Sequence, residues 1–285
     1  MYTVNPEEEL GAVAARKPTL RDRLGGPSAS KWGLGVYATI LFAFLYLPIV
    51  VIAVFSFVDN DVAALPLGSF TFDRYTEVIH NDQIVSALIN SIVVGLGAVL
   101  IAVTIGVPGA MLVDRYDFPG KSVFRKFVLL PLILPGVITG IAFLTFFNAI
   151  GLDRSLLTVT LAHGTALVST VLTTVYARLL RMDRGPEQAS LDLGVPPLKT
   201  FRLVTLPAIR TAIIASALLA FTLSFDEIPV TIFTIGADNT LPMYIWSALR
   251  SGTKLPELNA LATMIAVGGA LLVTASALLT REENG

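Results

Sequence analysis

Residues 178–210 have the sequence RLLRMDRGPEQASLDLGVPPLKTFRLVTLPAIR, a polar and basic stretch between two long apolar segments. This stretch is too long for a turn, and its composition favours an ordered structure over a flexible linker. We therefore interpret it as a docking element that a membrane protein presents to another protein.

Composition places the chain among integral membrane proteins. Apolar residues make up 54% of the chain and charged residues only 14%, and the apolar residues occur in long blocks. Several uncharged runs are each long enough to cross about 30 Å of hydrocarbon as a helix. These runs are 32–58, 83–113, 127–152, 155–177 and 258–280. A further span is predicted over 211–236, so the predicted fold is an all-α integral membrane protein with six transmembrane helices.

The distribution of basic residues predicts the orientation of these spans. Lys and Arg are concentrated in 16–31, 115–126 and 178–210, and Arg281 follows the last span. The remaining basic residues are Arg74, Arg154, Arg250 and Lys254. Because cytoplasmic loops of membrane proteins are enriched in Lys and Arg, we expect both termini and the docking element to lie in the cytoplasm.

The ends of the chain are predicted to be short tails. Residues 1–31 contain Glu7-Glu8-Glu9 and several Arg but no apolar core, so we expect a flexible cytoplasmic tail instead of a cleaved signal peptide. Residues 32–280 are expected to form one transmembrane domain, and residues 281–285 a second tail.

The sequence does not predict catalysis, a metal or a cofactor. There is no Cys, and His80 and His163 cannot form a conventional metal site without carboxylates. Gly120-Lys121-Ser122 resembles the end of a phosphate-binding loop, but Arg115 occupies the position where that loop needs Gly. If ATP drives this protein, we expect a partner subunit to bind it.

The docking element is predicted to form a helix, a turn and a second helix. Pro186 suits the first turn of a helix that runs through 187–193, and Gly194 suits a left-handed end to that helix. A second short helix is predicted over 198–204, followed by a break at Leu206-Pro207 before the fifth span.

This spacing resembles a cytoplasmic motif of the permease subunits of ABC importers. The motif has the form Glu-Ala-Ala, three residues, Gly, nine residues, Ile, one residue, Leu-Pro. The matching residues are Gln188, Ala189, Ser190, Gly194, Val204, Leu206 and Pro207. The resemblance implies that a coupling loop, 181–207, between spans four and five binds an ATP-binding subunit. The motif's Glu is replaced by Gln188, and the acid one residue earlier, Glu187, is a candidate to take its role.

The C-terminal third is similar to the spermidine/putrescine permeases in 223–227, 241–247 and 258–263. Permeases for ferric iron, molybdate and phosphonates share parts of this pattern, so a polyamine is the favoured substrate and other solutes or metal ions stay open. The resemblance implies a bacterial inner-membrane location in the lipid bilayer. It also implies a second permease subunit, a paralogue or another copy, and an external solute-binding protein, but no nucleic acid.

Asp226 and Glu227 are the candidate residues of a substrate pathway. A helix that enters the membrane near residue 211 reaches them after about 22 Å, where carboxylates normally face a cavity or a partner. They could replace the water around the ammonium groups of a polyamine. Alternatively, one acid pairs with an Arg of a neighbouring subunit, or the helix breaks before Pro229 and both acids reach outer water. Which acid lines the pathway stays open.

Other polar residues in the spans are interpreted mainly as packing groups. We expect hydrogen bonds between helices from Asn90, Ser91, Asn148 and Thr222. We expect His163 to be a hydrogen-bonded packing residue, with a proton relay as the alternative. An amphipathic helix over 241–249 is predicted at the outer face, where it is either a gate, a docking surface or an interfacial anchor.

Two other classes of protein are alternatives to the importer subunit. A secondary transporter or channel explains six spans and buried acids, but it does not explain the spacing of the coupling loop. A membrane-embedded enzyme needs a nucleophile or a metal cluster, and the sequence predicts neither.

Overall fold

The computed structural model of the chain describes residues 27–59, 68–252 and 255–282, and its regular elements there are helices. They are α1 (Pro27–Ser56), α2 (Asp73–His80), α3 (Asp82–Arg115), α4 (Lys121–Ile133), α5 (Gly136–Ala149), α6 (Leu156–Leu179), α7 (Gly185–Asp192), α8 (Pro197–Thr200), α9 (Leu206–Phe225), α10 (Thr231–Thr234), α11 (Leu241–Ser251) and α12 (Leu255–Glu282). Most of the predicted tail 1–31 and the last residues of the tail 281–285 lie outside the described residues.

The described helices confirm the all-α membrane class. Four segments are long and apolar enough to cross a membrane, and a fifth crossing results if α4 and α5 are counted as one bent span. The four are Trp32–Ser56, Asp82–Arg115, Leu156–Leu179 and Pro197–Phe225. Leu255–Leu271 of α12 is a shorter apolar helix.

The chain divides into two compact units. The described part of the first unit contains α1, an antiparallel bridge between Val58 and Phe70, and α12 from Asn259 onward. The second unit extends from Phe72 to Leu258. It contains every residue that the sequence predicts to be functional.

Small residues allow the central helices of the second unit to pack closely. Ala98, Ala102, Gly106 and Ala110 recur every four residues on α3 and are buried. A Cβ atom at Gly106 would lie 2.9 Å from the Val171 side chain of α6, so only Gly fits there. Close approach of this kind strengthens the van der Waals packing that helps to hold helices together in lipid. The α3–α6 pair, with α9 packed against both, therefore forms the core that supports both candidate sites.

Helix α3 is longer than a membrane is thick. Its 34 residues span about 51 Å, compared with about 30 Å of hydrocarbon. Its C-terminal residues, Asp114 and Arg115, are charged and follow a long apolar sequence. This end of α3 is thus suited to project from the membrane and to contact polar segments outside it.

The third predicted span, 127–152, is not one straight helix. Helix α4 ends at Ile133 and α5 begins at Gly136, and the two axes differ by 108°. Leu134 is extended because the residue before a proline disfavours the helical conformation, and Pro135 becomes the N-cap of α5. The prediction of a continuous span was therefore wrong at this point.

The predicted break at Leu206-Pro207 is also absent. The chain is helical from Pro197 to Phe225, with a π-helical turn over Phe201–Thr205 that joins α8 to α9. In this turn the N–H of Leu206 donates to the carbonyl oxygen of Phe201, five residues earlier. Pro207 cannot donate a hydrogen bond, and its ring would crowd the preceding turn of a regular α-helix. The wider π-helical turn accommodates Pro207, so the helix continues past it.

The fifth predicted span, 211–236, is interrupted. Helix α9 ends at Phe225, and the short helix α10 begins only at Thr231. Pro229 lies between them and favours an extended residue before it. The segment 226–230, called the acidic break below, therefore carries Asp226 and Glu227 in a non-helical conformation. The helix ends before Pro229, which agrees with that part of one alternative for these acids.

Candidate functional site

The first candidate site is the hairpin, defined as residues 181–207. Helix α7 has Pro186 in its first turn and is followed by Gly194, whose φ is +82°. The N–H of Gly194 donates to Leu191 O (2.9 Å) and that of Val195 to Ser190 O (3.2 Å). These two bonds form a Schellman motif, which needs a left-handed residue at this position. The predicted helix end at Gly194 is confirmed.

A side-chain hydrogen bond joins the two arms of the hairpin. Ser190 Oγ on α7 lies 2.9 Å from Thr200 Oγ1 on α8, and Thr200 is buried. The third residue of the motif therefore faces the inside of the hairpin. Its hydrogen bond holds α7 against α8.

Ion pairs attach the hairpin to the end of α3. Arg115 pairs with Glu187, and Arg184 Nη2 lies 2.9 Å from Asp114 Oδ1. Arg115 Nη1 also lies 3.3 Å from Asp114 Oδ2. The Asp114 side chain is only 1% exposed, and those of Arg115 and Glu187 are largely buried. Glu187, the predicted substitute for the motif's Glu, is thus engaged within its own chain.

The outer surface of the hairpin combines exposed leucines with charged residues. Leu193 is 84% exposed and Leu198 71%, and Leu191 and Leu203 are exposed as well. Around them the other exposed residues include Gln188, Ala189, Lys199 and Arg202. Val204 lies in the π-helical turn and Leu206 at the start of α9, and both are half-buried, while Pro207 is exposed. An apolar surface with a charged rim of this kind fits a groove on another protein.

The second candidate site is the acidic break. Glu227 Oε1 accepts a hydrogen bond from the backbone N–H of Val230 at 2.9 Å. A Cβ atom at Gly136 would lie 3.3 Å from this oxygen and 2.8 Å from Pro229, so Gly136 lets the break lie against the first turn of α5. The unpaired N–H groups at a helix N-terminus favour a nearby negative charge.

A buried histidine connects both sides of the break. His163 Nδ1 lies 2.8 Å from Ser224 Oγ at the end of α9, and its Nε2 lies 2.9 Å from Thr231 Oγ1. The Thr231 hydroxyl donates to Glu227 O at 2.6 Å, and a hydroxyl has only one hydrogen. His163 must therefore donate from Nε2, and in the neutral imidazole Nδ1 accepts from Ser224 Oγ. This geometry agrees with the packing role expected for His163.

A cavity of about 190 Å³ opens beside the break. Its apolar wall comes from Pro131, Leu132, Leu134, Ala166, Leu167, Leu223 and Val230. Its polar residues are Thr139, His163, Thr170, Ser224 and Glu227. Asp226 is exposed and is not among the lining residues. The structure thus places one carboxylate at an apolar cavity and its neighbour outside it.

Two other predicted packing residues contact the start of α11. Asn90 Nδ2 donates to Asn239 O (2.9 Å), and Ser91 Oγ accepts from the N–H of Leu241 (2.8 Å). Thr222, in contrast, donates to Leu218 O within α9, so its bond is not between helices. The predicted helix over 241–249 is confirmed by α11, and Trp246 on it is exposed.

The match to known proteins decides the family. Residues 103–281 match the family of binding-protein-dependent transport system inner membrane components, which is more than half of the chain. The chain belongs to this family. Membership confirms the predicted importer permease over the alternative of a secondary transporter or channel.

Individual permeases are similar over most of the chain. The putrescine transport system permease protein PotI of Escherichia coli is 38% identical over 244 residues, which cover 83% of this chain and 86% of PotI. The spermidine/putrescine transport system permease protein PotC of Haemophilus influenzae is 30% identical, with 86% and 95% covered. A probable molybdenum ABC transporter permease of Haloferax volcanii is 32% identical, with 74% and 84% covered.

Solved structures of the same fold are also ABC importer subunits. A chain of a bacterial alginate ABC transporter has a TM-score of 0.66 at 14% identity, with 98% of this permease and 99% of that chain covered. A chain of the alginate transporter in complex with a pentasaccharide-bound periplasmic protein has a TM-score of 0.64 at 15% identity, with 90% and 95% covered. At these identities the likeness concerns the fold.

Proposed function

We propose that this chain is a permease subunit of an ATP-driven importer for polyamines such as putrescine or spermidine. The observation that carries the proposal is the position of Glu227 at an apolar cavity, in a chain that is 38% identical to a putrescine permease. A half-buried carboxylate can replace the water around an ammonium group, and leucine side chains can contact the methylene groups between two ammonium groups.

In this proposal the chain crosses the bacterial inner membrane six times. The crossings are α1, α3, the bent pair α4–α5, α6, the segment from α9 to α10, and α12, and both termini lie in the cytoplasm. The concentration of Lys and Arg in 16–31, 115–126 and 178–210 supports this orientation. The hairpin then lies on the cytoplasmic side, between the fourth and fifth crossings.

The hairpin docks onto an ATP-binding subunit. Its exposed leucines enter a groove of that subunit, and Lys199 and Arg202 lie at the polar rim. The residues assigned to this coupling site are Glu187, Gln188, Ala189, Ser190, Gly194, Val204, Leu206 and Pro207. Of these, Gln188 and Ala189 contact the partner, and the others shape the hairpin.

The substrate passes the acidic break. Glu227 contacts one ammonium group from within the cavity, and Asp226, exposed one residue away, attracts the cation on its path. A second permease subunit, either a paralogue or another copy, encloses the other half of the path. A periplasmic solute-binding protein delivers the substrate, and the complex of the alginate transporter with such a protein supports this partner.

A different solute is the second candidate because a probable molybdenum permease is 32% identical to this chain. That candidate is disfavoured if the solute is an oxyanion, since Glu227 would repel it at close range in an apolar cavity. A metal cation or another organic cation is compatible with the same carboxylate.

The proposal is tested by ATP hydrolysis of the reconstituted complex in the presence of binding proteins loaded with different solutes. Putrescine- and spermidine-loaded proteins are expected to stimulate hydrolysis several-fold, while neutral and anionic solutes leave the basal rate unchanged. Stimulation by a molybdate-loaded protein alone would overturn the polyamine assignment and leave the importer role intact.

A further inference from the structure

We propose that Arg115 is a positioning residue that ties the hairpin to α3 and so transmits movements of the ATP-binding subunit to the core of the permease. Asp114, Arg184 and Glu187 complete this link, which we call the latch. The inference rests on the proposed function, because it requires the hairpin to dock onto an ATP-binding subunit.

Charges of the latch alternate in space. Arg184 pairs with Asp114, Asp114 with Arg115, and Arg115 with Glu187, so that each charge has a neighbour of opposite sign. Two of these residues end α3, while Arg184 is the N-cap of α7 and Glu187 lies in its first turn. Arg115 at the end of α3 and Glu187 at the start of α7 suit the dipoles of the two helices, whereas Asp114 and Arg184 oppose them, so the ion pairs and not the dipoles hold the latch together.

Burial separates the latch from ordinary surface ion pairs. The nearby pair of Lys121 with Asp117 is also formed at 2.8 Å, but the Asp117 side chain is 99% exposed. Exposed pairs of that kind contribute little to stability. The Asp114 side chain is 1% exposed, and a charge in such a place is costly unless its partner stays in position. The latch therefore resists separation of the hairpin from α3.

The position of the latch makes it suitable for transmitting force. Helix α3 packs against α6 and α9 through small side chains, so a displacement of its end cannot be absorbed by loose packing. The acidic break follows α9 directly. A pull on the hairpin thus reaches the core through α3 as well as through the helix that continues from α8 into α9.

The latch also explains the departure from the permease motif at Gln188. In the motif an acid occupies this position, whereas here the acid is shifted to Glu187 and is bound by Arg115 of the same chain. Glu187 is therefore not free for an ion pair with the ATP-binding subunit. The exposed neighbour Gln188 and the leucines of the hairpin form the docking surface instead.

The test uses the absence of native cysteine from the chain. Arg115→Cys and Glu187→Cys are introduced together, in a complex whose other subunits lack reactive cysteines, and are joined by a short bifunctional thiol reagent that a reductant cleaves. With the cross-link in place, substrate uptake per ATP hydrolysed should be close to that of the wild-type complex. After cleavage it should fall about tenfold, while the ATP-binding subunit still co-purifies. Equal coupling before and after cleavage would overturn the latch.

Charge variants provide a second measurement on the same complex. Glu187→Arg alone should uncouple uptake from hydrolysis. Glu187→Arg combined with Arg115→Glu should recover part of the coupling, because it restores a pair of opposite charges but leaves the buried Asp114 beside a like charge. Asp117→Asn, which removes the exposed pair beside the latch, is the matched control and should leave coupling unchanged. A Glu187→Arg complex that loses the ATP-binding subunit and does not regain it in the double variant would show that Glu187 contacts the partner directly. A wild-type complex that binds no ATP-binding subunit would refute the proposed function itself.

Discussion

Ser190 Oγ lies 2.9 Å from Thr200 Oγ1, and this contact joins the two arms of the hairpin. Replacing either hydroxyl removes one neutral hydrogen bond, whose net contribution is about 1 kcal/mol. If the hairpin must keep its shape to bind, Ser190→Ala should weaken binding of the ATP-binding subunit about fivefold. Thr200→Val should have a similar effect, and the double variant should be no weaker than either single one. Additive losses in this double-mutant cycle, measured by binding of the purified subunit, would mean that the two hydroxyls act independently.

Gly194 is needed for its backbone conformation and not for lack of space. Its φ of +82° is unfavourable for a residue with a side chain, although a Cβ atom there would meet no other atom within 4 Å. Gly194→Val should therefore cost about 1–2 kcal/mol in the hairpin and reduce co-purification of the ATP-binding subunit. Gly185→Ala is the matched control, because its φ is not positive and a Cβ atom makes only an ordinary contact with Asp183. Equal co-purification of the two variants would refute this role of Gly194.

Glu227 and Asp226 should differ in their effect on uptake. Glu227→Gln keeps the shape of the cavity and removes its carboxylate, so we expect the apparent affinity for a polyamine to fall about tenfold or more. Asp226→Asn should cause a smaller loss, because this side chain is exposed and its charge is screened by water. Both variants should still bind the ATP-binding subunit. The two losses are compared in the kinetics of labelled putrescine uptake. A larger loss for Asp226→Asn than for Glu227→Gln would assign the substrate contact to Asp226.

His163 should act as a donor and an acceptor of hydrogen bonds in the acidic break. His163→Phe leaves the buried hydroxyl groups of Ser224 and Thr231 without this partner, at a cost of about 1–3 kcal/mol. We expect a lower temperature of thermal unfolding and reduced uptake. His163→Gln offers one donor and one acceptor and should restore part of both. If His163→Phe unfolds at the wild-type temperature, the two hydrogen bonds do not support the break.

Much of the hairpin followed from its sequence because local rules govern it. Pro186 in a first turn and Gly194 at a left-handed position each depend on backbone preferences within a few residues. The membrane class followed from composition for a similar reason. Long uncharged segments must satisfy their backbone hydrogen bonds internally, and helices do so.

The features that were missed depend on distant contacts or on competition between two tendencies. The latch joins Arg115 to a residue far along the chain, and nothing in the local sequence selects this partner from the other acids. Pro207 was expected to break the helix, but the π-helical turn before it keeps the helix continuous. Before Pro135, in contrast, a helix was expected to continue and does not. The extended residue Leu134 ends α4 within an apolar run that is long enough for one span.

The position of Glu227 at a cavity also needed the three-dimensional structure. The sequence gives two neighbouring acids without telling them apart. Gly136 at the start of α5 lets Glu227 approach that helix, and the N–H of Val230 fixes the carboxylate locally. The approach to Gly136 depends on the bend between α4 and α5, which the sequence does not predict. Gly136, directly after Pro135, is a sequence signal for a close approach of another segment, but the sequence does not show that this segment is the acidic break.

Cross-linking from the hairpin tests the docking of the ATP-binding subunit most directly, because a single introduced cysteine is unique in this chain. Leu193→Cys and Leu198→Cys, both at exposed positions, should each cross-link to the ATP-binding subunit in membranes that contain the whole complex. Leu249→Cys on α11 is the control and should form no such product. Cross-linking of Leu249→Cys to the ATP-binding subunit, with none from Leu193→Cys or Leu198→Cys, would contradict the cytoplasmic position of the hairpin and its coupling role.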